Sequence, residues 1–192
     1  MKTVFFDIDT QIDFVFPAGA LYARSAERIL PAVAKLNKHA AANGIPVISS
    51  MDAHRETDPE FRDWPHHCIV GTVGQQKPVS TLLEKRLVVP NTPVELRLDA
   101  IDQILLEKQT FSAFSNVNLK RLLEHFNADR YVVYGVVTEV CVKFAAFGLL
   151  DTGKRVEIVT DAIRPLNDEN GAKTLAEFTA AGGHLTDSGR VI

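Results

Sequence analysis

Residues 131–142 read Tyr131-Val132-Val133-Tyr134-Gly135-Val136-Val137-Thr138-Glu139-Val140-Cys141-Val142. A short β-branched run without polar alternation reads as a strand buried on both faces. Thr138 then offers an N-cap for a helix whose apolar face continues at helical spacing through Val142, Ala145, Ala146 and Leu149. The same switch recurs along the chain. Val4-Phe5-Phe6, Pro46-Val47-Ile48, Gln103-Ile104-Leu105-Leu106 and Arg155-Val156-Glu157-Ile158-Val159 are further strand-like runs. Ile29, Val33, Leu36 and Ala40, and then Leu119, Leu122, Leu123 and Phe126, are further helical stripes. Gly44, Gly153 and Gly182 each follow an apolar helical stretch, where a left-handed residue ends a helix. Strand and helix alternation predicts βαβ units and hence a three-layer αβα fold, an open, mostly parallel sheet flanked by helices.

The chain of 192 residues is near the size of one domain of roughly 150 residues, so a single domain over 1–192 is expected. With 46% hydrophobic and 23% charged residues the composition is ordinary for a globular protein, and no apolar run approaches the roughly 20 residues a bilayer span requires. Lys plus Arg number 21 against 24 acids, a net charge of -3 without a basic cluster, which argues against nucleic acid and for a small-molecule substrate. The start meets Asp7 before an apolar signal core can form, and only two cysteines occur. A reduced, cytoplasmic setting is expected. The stretch at about 52–93 breaks the strand and helix rhythm with prolines, Trp64 and three of the six histidines. It reads as an insertion that builds a site.

In open parallel sheets ligands bind outside the carboxyl ends of the strands. Asp9, Asp52 and Lys108 follow strand-like runs there, and Cys141 opens a helix. In the first helical turn, free N–H groups and the positive dipole end favour a thiolate, and a nearby lysine adds to this. Cys141, Lys108 and Asp9 thus have the chemical types for covalent acyl transfer, the carboxylate taking the thiol proton. Cys68, inside the insertion, reads as structural. Asp52-Ala53-His54 places alternate side chains on one side of an extended segment. One more imidazole, from Trp64-Pro65-His66-His67-Cys68, would complete a three-ligand divalent metal site with open positions. A rival starts from Asp7-Ile8-Asp9-Thr10. This resembles the Asp-x-Asp of haloacid-dehalogenase-like phosphatases, which use an aspartate nucleophile, a later lysine and Mg²⁺. Those enzymes continue with Gly-Thr where this chain has Thr10-Gln11, and the phosphatase reading leaves Cys141 and the histidines without a role.

The wider pattern resembles the isochorismatase-like cysteine hydrolases, and nicotinamidases among them. The similar segments, in order, are residues 6–14 with 17–21, residues 52–54, residues 64–72, Lys108 with Phe111-Ser112-Ala113-Phe114, and residues 135–142. The resemblance implies Asp9 as general base, Lys108 as triad lysine and Cys141 as nucleophile, with Asp13 a bystander. It implies a cis Val136–Val137 peptide that turns the Val137 N–H toward the Cys141 N–H as an oxyanion hole. Asp52, His54 and His67 match metal ligands for zinc, with iron or manganese as alternatives. Phe14 and Trp64 match the walls around a substrate ring. The implied activity converts nicotinamide to nicotinate and ammonia through a thioester, in a homo-oligomer. The alternative is a related amidase for another small amide or carbamoyl compound. A silent binding domain is a further reading, disfavoured because all three triad residue types are present, and a vinyl ether hydrolase would leave Cys141 and the metal set idle. Two departures bear on substrate: Glu60 stands about where a further histidine is expected, as a replacement ligand or a solvated acid, and Gly71-Thr72-Val73-Gly74-Gln75-Gln76 lacks the usual small residue after its second glycine.

Overall fold

The five apolar runs become the interior strands of one sheet. In the computed structural model, which describes residues 1–192, they are β1 (Thr3–Ile8), β2 (Val47–Asp52), β4 (Gln103–Lys108), β5 (Arg130–Val136) and β6 (Arg155–Arg164). Two strands escape the sequence pattern, β3 (Arg86–Val89) and β7 (His184–Thr186). They close the two edges of an all-parallel sheet of order β3-β4-β2-β1-β5-β6-β7. Both are short. Arg86, Val88, His184 and Leu185 are exposed, so neither strand shows the continuous apolar run that marks a buried one. β3 also lies inside the stretch read from sequence as irregular.

The helical stripes become α2 (Leu30–Ala42), α3 (Leu119–Phe126) and α4 (Lys143–Leu150), joined by a short α1 (Ile12–Val15), α5 (Asp168–Ala180) and a short α6 (Ser188–Val191). Helix α2 packs on β1, β2 and β6 and touches α6, whereas α4 packs on β5 and β6 and touches α5. The helices therefore flank the sheet, giving the three-layer αβα architecture. Gly44, Gly153 and Gly182 adopt φ of +64°, +72° and +94°, as their positions after helices predict. None of the helices is long and apolar enough to cross a membrane.

β1 is the strand from which the chain winds both ways, toward β2 and β4 on one side and toward β5 and β6 on the other. Loops that leave β1 and β5 therefore part at their carboxyl ends, and a crevice opens there. Gly135 permits the close approach: at φ +117° its Cα stands so near β1 that a Cβ would lie 2.1 Å from the Ile8 carbonyl oxygen. The next peptide but one, Val136–Val137, is cis.

Candidate active site

Four neighbouring strands deliver four reactive side chains to this crevice. Lys108 ends β4 and is the register partner of Asp52, which ends β2. Asp9 follows β1, and Cys141 follows β5. Lys108 is fully buried and its Nζ is shared: it pairs with Asp52 Oδ1, stands 2.8 Å from Asp9 Oδ2, donates to the Thr110 carbonyl at 3.0 Å and lies 3.7 Å from Cys141 Sγ. Asp9 Oδ1 accepts from Ser50 Oγ at 2.7 Å. Asp9 Oδ2, although ion-paired, accepts no aligned hydrogen bond, and ligand atoms of Asp9, Asp52 and Cys141 lie within 4.8 Å of one another. The unused lone pair of Asp9 is thus beside the thiol.

The electrostatics differ from the sequence expectation in one respect. Lys108 and the helix start were expected to favour a thiolate, yet burial pushes the Cys141 thiol well up, Asp9 and Asp52 push the same way, and Lys108 only partly opposes them. The reason is that the lysine charge is already neutralised by two carboxylates. Burial also raises the Asp9 carboxyl, Lys108 opposing and Asp52 adding to the rise. Burial works against Lys108, but Asp52 and Asp9 outweigh it and hold the ammonium well above its usual range. A neutral thiol next to a carboxylate made more basic by its surroundings is a pair primed for proton transfer.

The helix start also differs. Thr138 does not cap it; the turn begins at Thr138, Val137 occupies the cap position, and the Thr138 hydroxyl is buried without a partner. Residues Thr138–Val142 form a wide π-type turn before α4. The Val137 carbonyl accepts from the N–H of Val140 and of Val142, both at 3.1 Å, and not from the N–H of Cys141 between them. The Val137 N–H makes no backbone hydrogen bond. The Val137 N–H is thus left without a backbone acceptor just before the turn that carries Cys141, a donor of the kind an oxyanion hole needs.

A second cluster adjoins the first through Asp52. His54 Nε2 and His67 Nε2 lie 3.9 and 3.7 Å from Asp52 Oδ2, and 3.7 and 3.6 Å from Glu60 Oε1. His67 Nδ1 is 2.7 Å from the Pro65 carbonyl, which can only accept, so this nitrogen carries a proton and in the neutral ring Nε2 is left with a lone pair. His54 Nδ1 is likewise 3.0 Å from Asp58 Oδ2, while its buried Nε2 has no hydrogen-bond partner. Two imidazoles with Nδ1 fixed from behind and Nε2 converging on carboxylates have the chemistry of a divalent-metal donor set, and Asp52, His54 and His67 could hold such an ion. Asp58 has no sequence signal beyond its spacing from His54. Glu60, left open by sequence, points into the cluster, and burial followed by the neighbouring Asp52 pushes its carboxyl up to about 7.

Between Cys141 and this cluster lies a small open pocket lined by Phe14, Trp64, Phe111, Leu21, Val137, Val140 and Leu166 as well as Asp52, Glu60, His67 and Cys141. Phe14 and Trp64, to which the resemblance gives the role of walls, both line it. Phe111 is a third, its ring 6.0 Å from that of Trp64. Leu21, Val140 and Leu166 were not foreseen, because apolar residues scattered over separate loops carry no periodic signal.

The Asp-x-Asp of the phosphatase rival is split by the fold. Asp7 is fully buried away from Asp9, with Thr10 Oγ1 at 2.7 Å, Ser49 Oγ at 3.1 Å and Lys77 Nζ at 3.4 Å. It offers Asp9 no second carboxylate for a shared Mg²⁺. Cys68 is buried 0% exposed among packed loops, and burial followed by Asp52 raises its thiol far above the usual range.

Fold and comparisons together define an amide hydrolase. The isochorismatase domain matches residues 3–189, and the chain belongs to that family. Its structure is similar to the nicotinamidase PncA of Bacillus subtilis, 26% identical with a TM-score of 0.84 over 97% of this chain and 100% of that one. It is also similar to the pyrazinamidase of Pyrococcus horikoshii in complex with zinc, 25% identical with a TM-score of 0.83 over 97% and 99%. N-carbamoylsarcosine amidase from Thermoplasma acidophilum shares the fold, at 24% identity and a TM-score of 0.78 over 98% and 97%.

Proposed function

We propose that the protein hydrolyses nicotinamide to nicotinate and ammonia through a thioester on Cys141. The observation that carries this reading is the cavity: a mostly apolar pocket that includes three aromatic rings, with Cys141 and the Asp52, Glu60 and His67 cluster in its lining and no Arg or Lys among its lining residues. Lys108 is engaged by Asp9 and Asp52. An N-carbamoyl amino acid would bring a carboxylate into a lining that offers no Arg or Lys to pair it, whereas a neutral aromatic amide buries its ring and exposes no charge.

In the proposed course Asp9 takes the Cys141 proton and the sulfur forms a bond to the amide carbon. The negative oxygen is received by the N–H groups of Val137 and Cys141. Asp9 returns the proton to the amide nitrogen, the C–N bond breaks and ammonia leaves. Asp9 then takes a proton from water as its oxygen attacks the thioester; the C–S bond breaks, nicotinate forms and the thiol regains its proton. Lys108 remains protonated and orients Asp9. Asp52, His54 and His67, together with Glu60, would hold a divalent ion, zinc foremost among Zn²⁺, Fe²⁺ and Mn²⁺ for this mixed O/N set. When bound, such an ion supplies a Lewis-acid contact for the pyridine nitrogen.

Ammonia release from nicotinamide, pyrazinamide, benzamide and N-carbamoylsarcosine tests the reading. Nicotinamide and pyrazinamide are expected as good substrates, benzamide as a poor one for lack of a ring nitrogen, and the carbamoyl acid as inert. His54→Ala is expected to raise KM for nicotinamide while changing benzamide turnover little. Faster release from N-carbamoylsarcosine, or equal use of benzamide and nicotinamide, overturns it.

A further inference from the structure

Asp9 is followed by two side chains, Gln11 and Asp13, that do not line the cavity and are engaged by main-chain groups instead. The Gln11 amide is fully buried and meets the main chain of Asp52 on both sides: its Oε1 accepts from the Asp52 N–H at 2.7 Å, and its Nε2 donates to the Asp52 carbonyl at 2.8 Å. The same Nε2 donates to the Gln75 carbonyl at 2.8 Å. One side chain thus supplies the bonds that a neighbouring strand would have supplied to Asp52. Asp13 does the corresponding work for the second ligand segment. Its Oδ2 accepts from the N–H of Cys68, the residue after His67, at 2.7 Å, and its Oδ1 accepts from the Ala20 N–H at 3.0 Å. Ile12 and Asp13 donate their own N–H groups to the carbonyls of Gln76 and Gly74, at 2.8 and 3.1 Å. Gly74 leaves room for the carboxylate, because a Cβ there would lie 2.1 Å from Asp13 Oδ2.

We propose that Gln11 and Asp13 are positioning residues of the metal-ligand cluster, Gln11 acting through the Asp52 main chain and Asp13 through the Cys68 N–H, so that the five-residue stretch bearing the base also sets the ligands against it. This rests on the metal-binding reading given above. Removing the Gln11 amide leaves a buried N–H and two carbonyls without their partner and frees Asp52 to shift, while Asp13→Ala frees the segment that carries His67. Asn at 13 keeps a carbonyl oxygen for the Cys68 N–H.

The test measures Zn²⁺ affinity by chelator competition on metal-free protein for the unmodified enzyme, Gln11→Met, Asp13→Ala, Asp13→Asn and the remote core variant Leu122→Ala, alongside thermal melting of each. Gln11→Met and Asp13→Ala are expected to weaken Zn²⁺ by about 10–100-fold, Asp13→Asn to recover most of the loss, and Leu122→Ala to lower the melting temperature with affinity unchanged. If Gln11→Met fails to fold, the Asp13 pair decides. Unchanged affinity in Gln11→Met and Asp13→Ala beside a metal-binding unmodified protein overturns the positioning role alone, as does an equal loss in Leu122→Ala. An unmodified protein that binds no Zn²⁺, Fe²⁺ or Mn²⁺ overturns the metal reading and the positioning role with it.

Discussion

Asp52 and Lys108 stand opposite each other at the carboxyl ends of β2 and β4, and the Lys108 ammonium that pairs with Asp52 also pairs with Asp9. Strand register thereby joins the thiol chemistry to the histidine cluster through one buried cation. Asp52 belongs to both: Oδ1 faces Lys108 and Oδ2 faces the two imidazoles. Burial alone would raise the Asp52 carboxyl, but Lys108 first, then the His67 contact, pull it below its usual range. It stays ionised in the interior, as either partnership demands.

Lys108→Met is expected to abolish ammonia release and to destabilise the fold. It leaves two carboxylates fully buried without their cation, and removal of one partner from a buried pair costs about 3–5 kcal/mol. Urea denaturation should show a lower midpoint with an unchanged slope. Lys108→Arg is not expected to rescue activity, since a planar guanidinium cannot occupy the point-like position between Asp9, Asp52 and Thr110. Activity in Lys108→Met within about tenfold of the unmodified enzyme would remove the lysine from the mechanism.

The two cysteines provide a matched comparison. Cys141→Ala is expected to eliminate turnover while leaving the melting temperature nearly unchanged, because an alanine fits the site and relieves a buried polar group. Cys68→Ala is expected to retain most activity. The only hydrogen bond of its sulfur is a long one, 3.8 Å to the Gly74 carbonyl. Iodoacetamide should label Cys141 first, as it lines the cavity and Cys68 does not. Faster alkylation of Cys68, with loss of activity in step, would reverse the assignment of the nucleophile.

What sequence disclosed and what it withheld divide along physical lines. The interior strands were legible because burial on both faces demands continuous apolar runs such as Tyr131 to Tyr134, and the edge strands were not, because Arg86–Val89 and His184–Thr186 are wetted on one side. That Asp9, Asp52, Lys108 and Cys141 gather in one place could be read from their positions at or just after the carboxyl ends of neighbouring strand-like runs. The state of the thiol was not legible, since it depends on how many acids share Lys108, a property of three dimensions. Asp13, a bystander to the triad, holds the Cys68 main chain through its carboxylate. Contacts of that kind, between a side chain and a backbone 55 residues away, leave no trace in spacing.

Glu60 supplies the last prediction. Its Oε1, Asp52 Oδ2 and the two Nε2 atoms are separated by 3.6 to 3.9 Å in the four acid–imidazole pairs. Four atoms about 2.0–2.2 Å from a tetrahedral ion stand roughly 3.3–3.6 Å from one another, so these four acid–imidazole pairs would contract by a few tenths of an ångström around one. A solvated acid would have no reason to lie between two imidazoles whose Nδ1 atoms are already engaged. Glu60→Ala is therefore expected to weaken Zn²⁺ by about 10–100-fold, Glu60→Gln by less because its amide oxygen can still ligate, and His54→Ala by more. Metal content after dialysis against a weak chelator, measured by elemental analysis, ranks the four proteins, and the rise in melting temperature on adding Zn²⁺ should follow the same order. Should Glu60→Ala retain metal as the unmodified protein does, the ligand set is Asp52, His54 and His67 alone and Glu60 is only a neighbour of it.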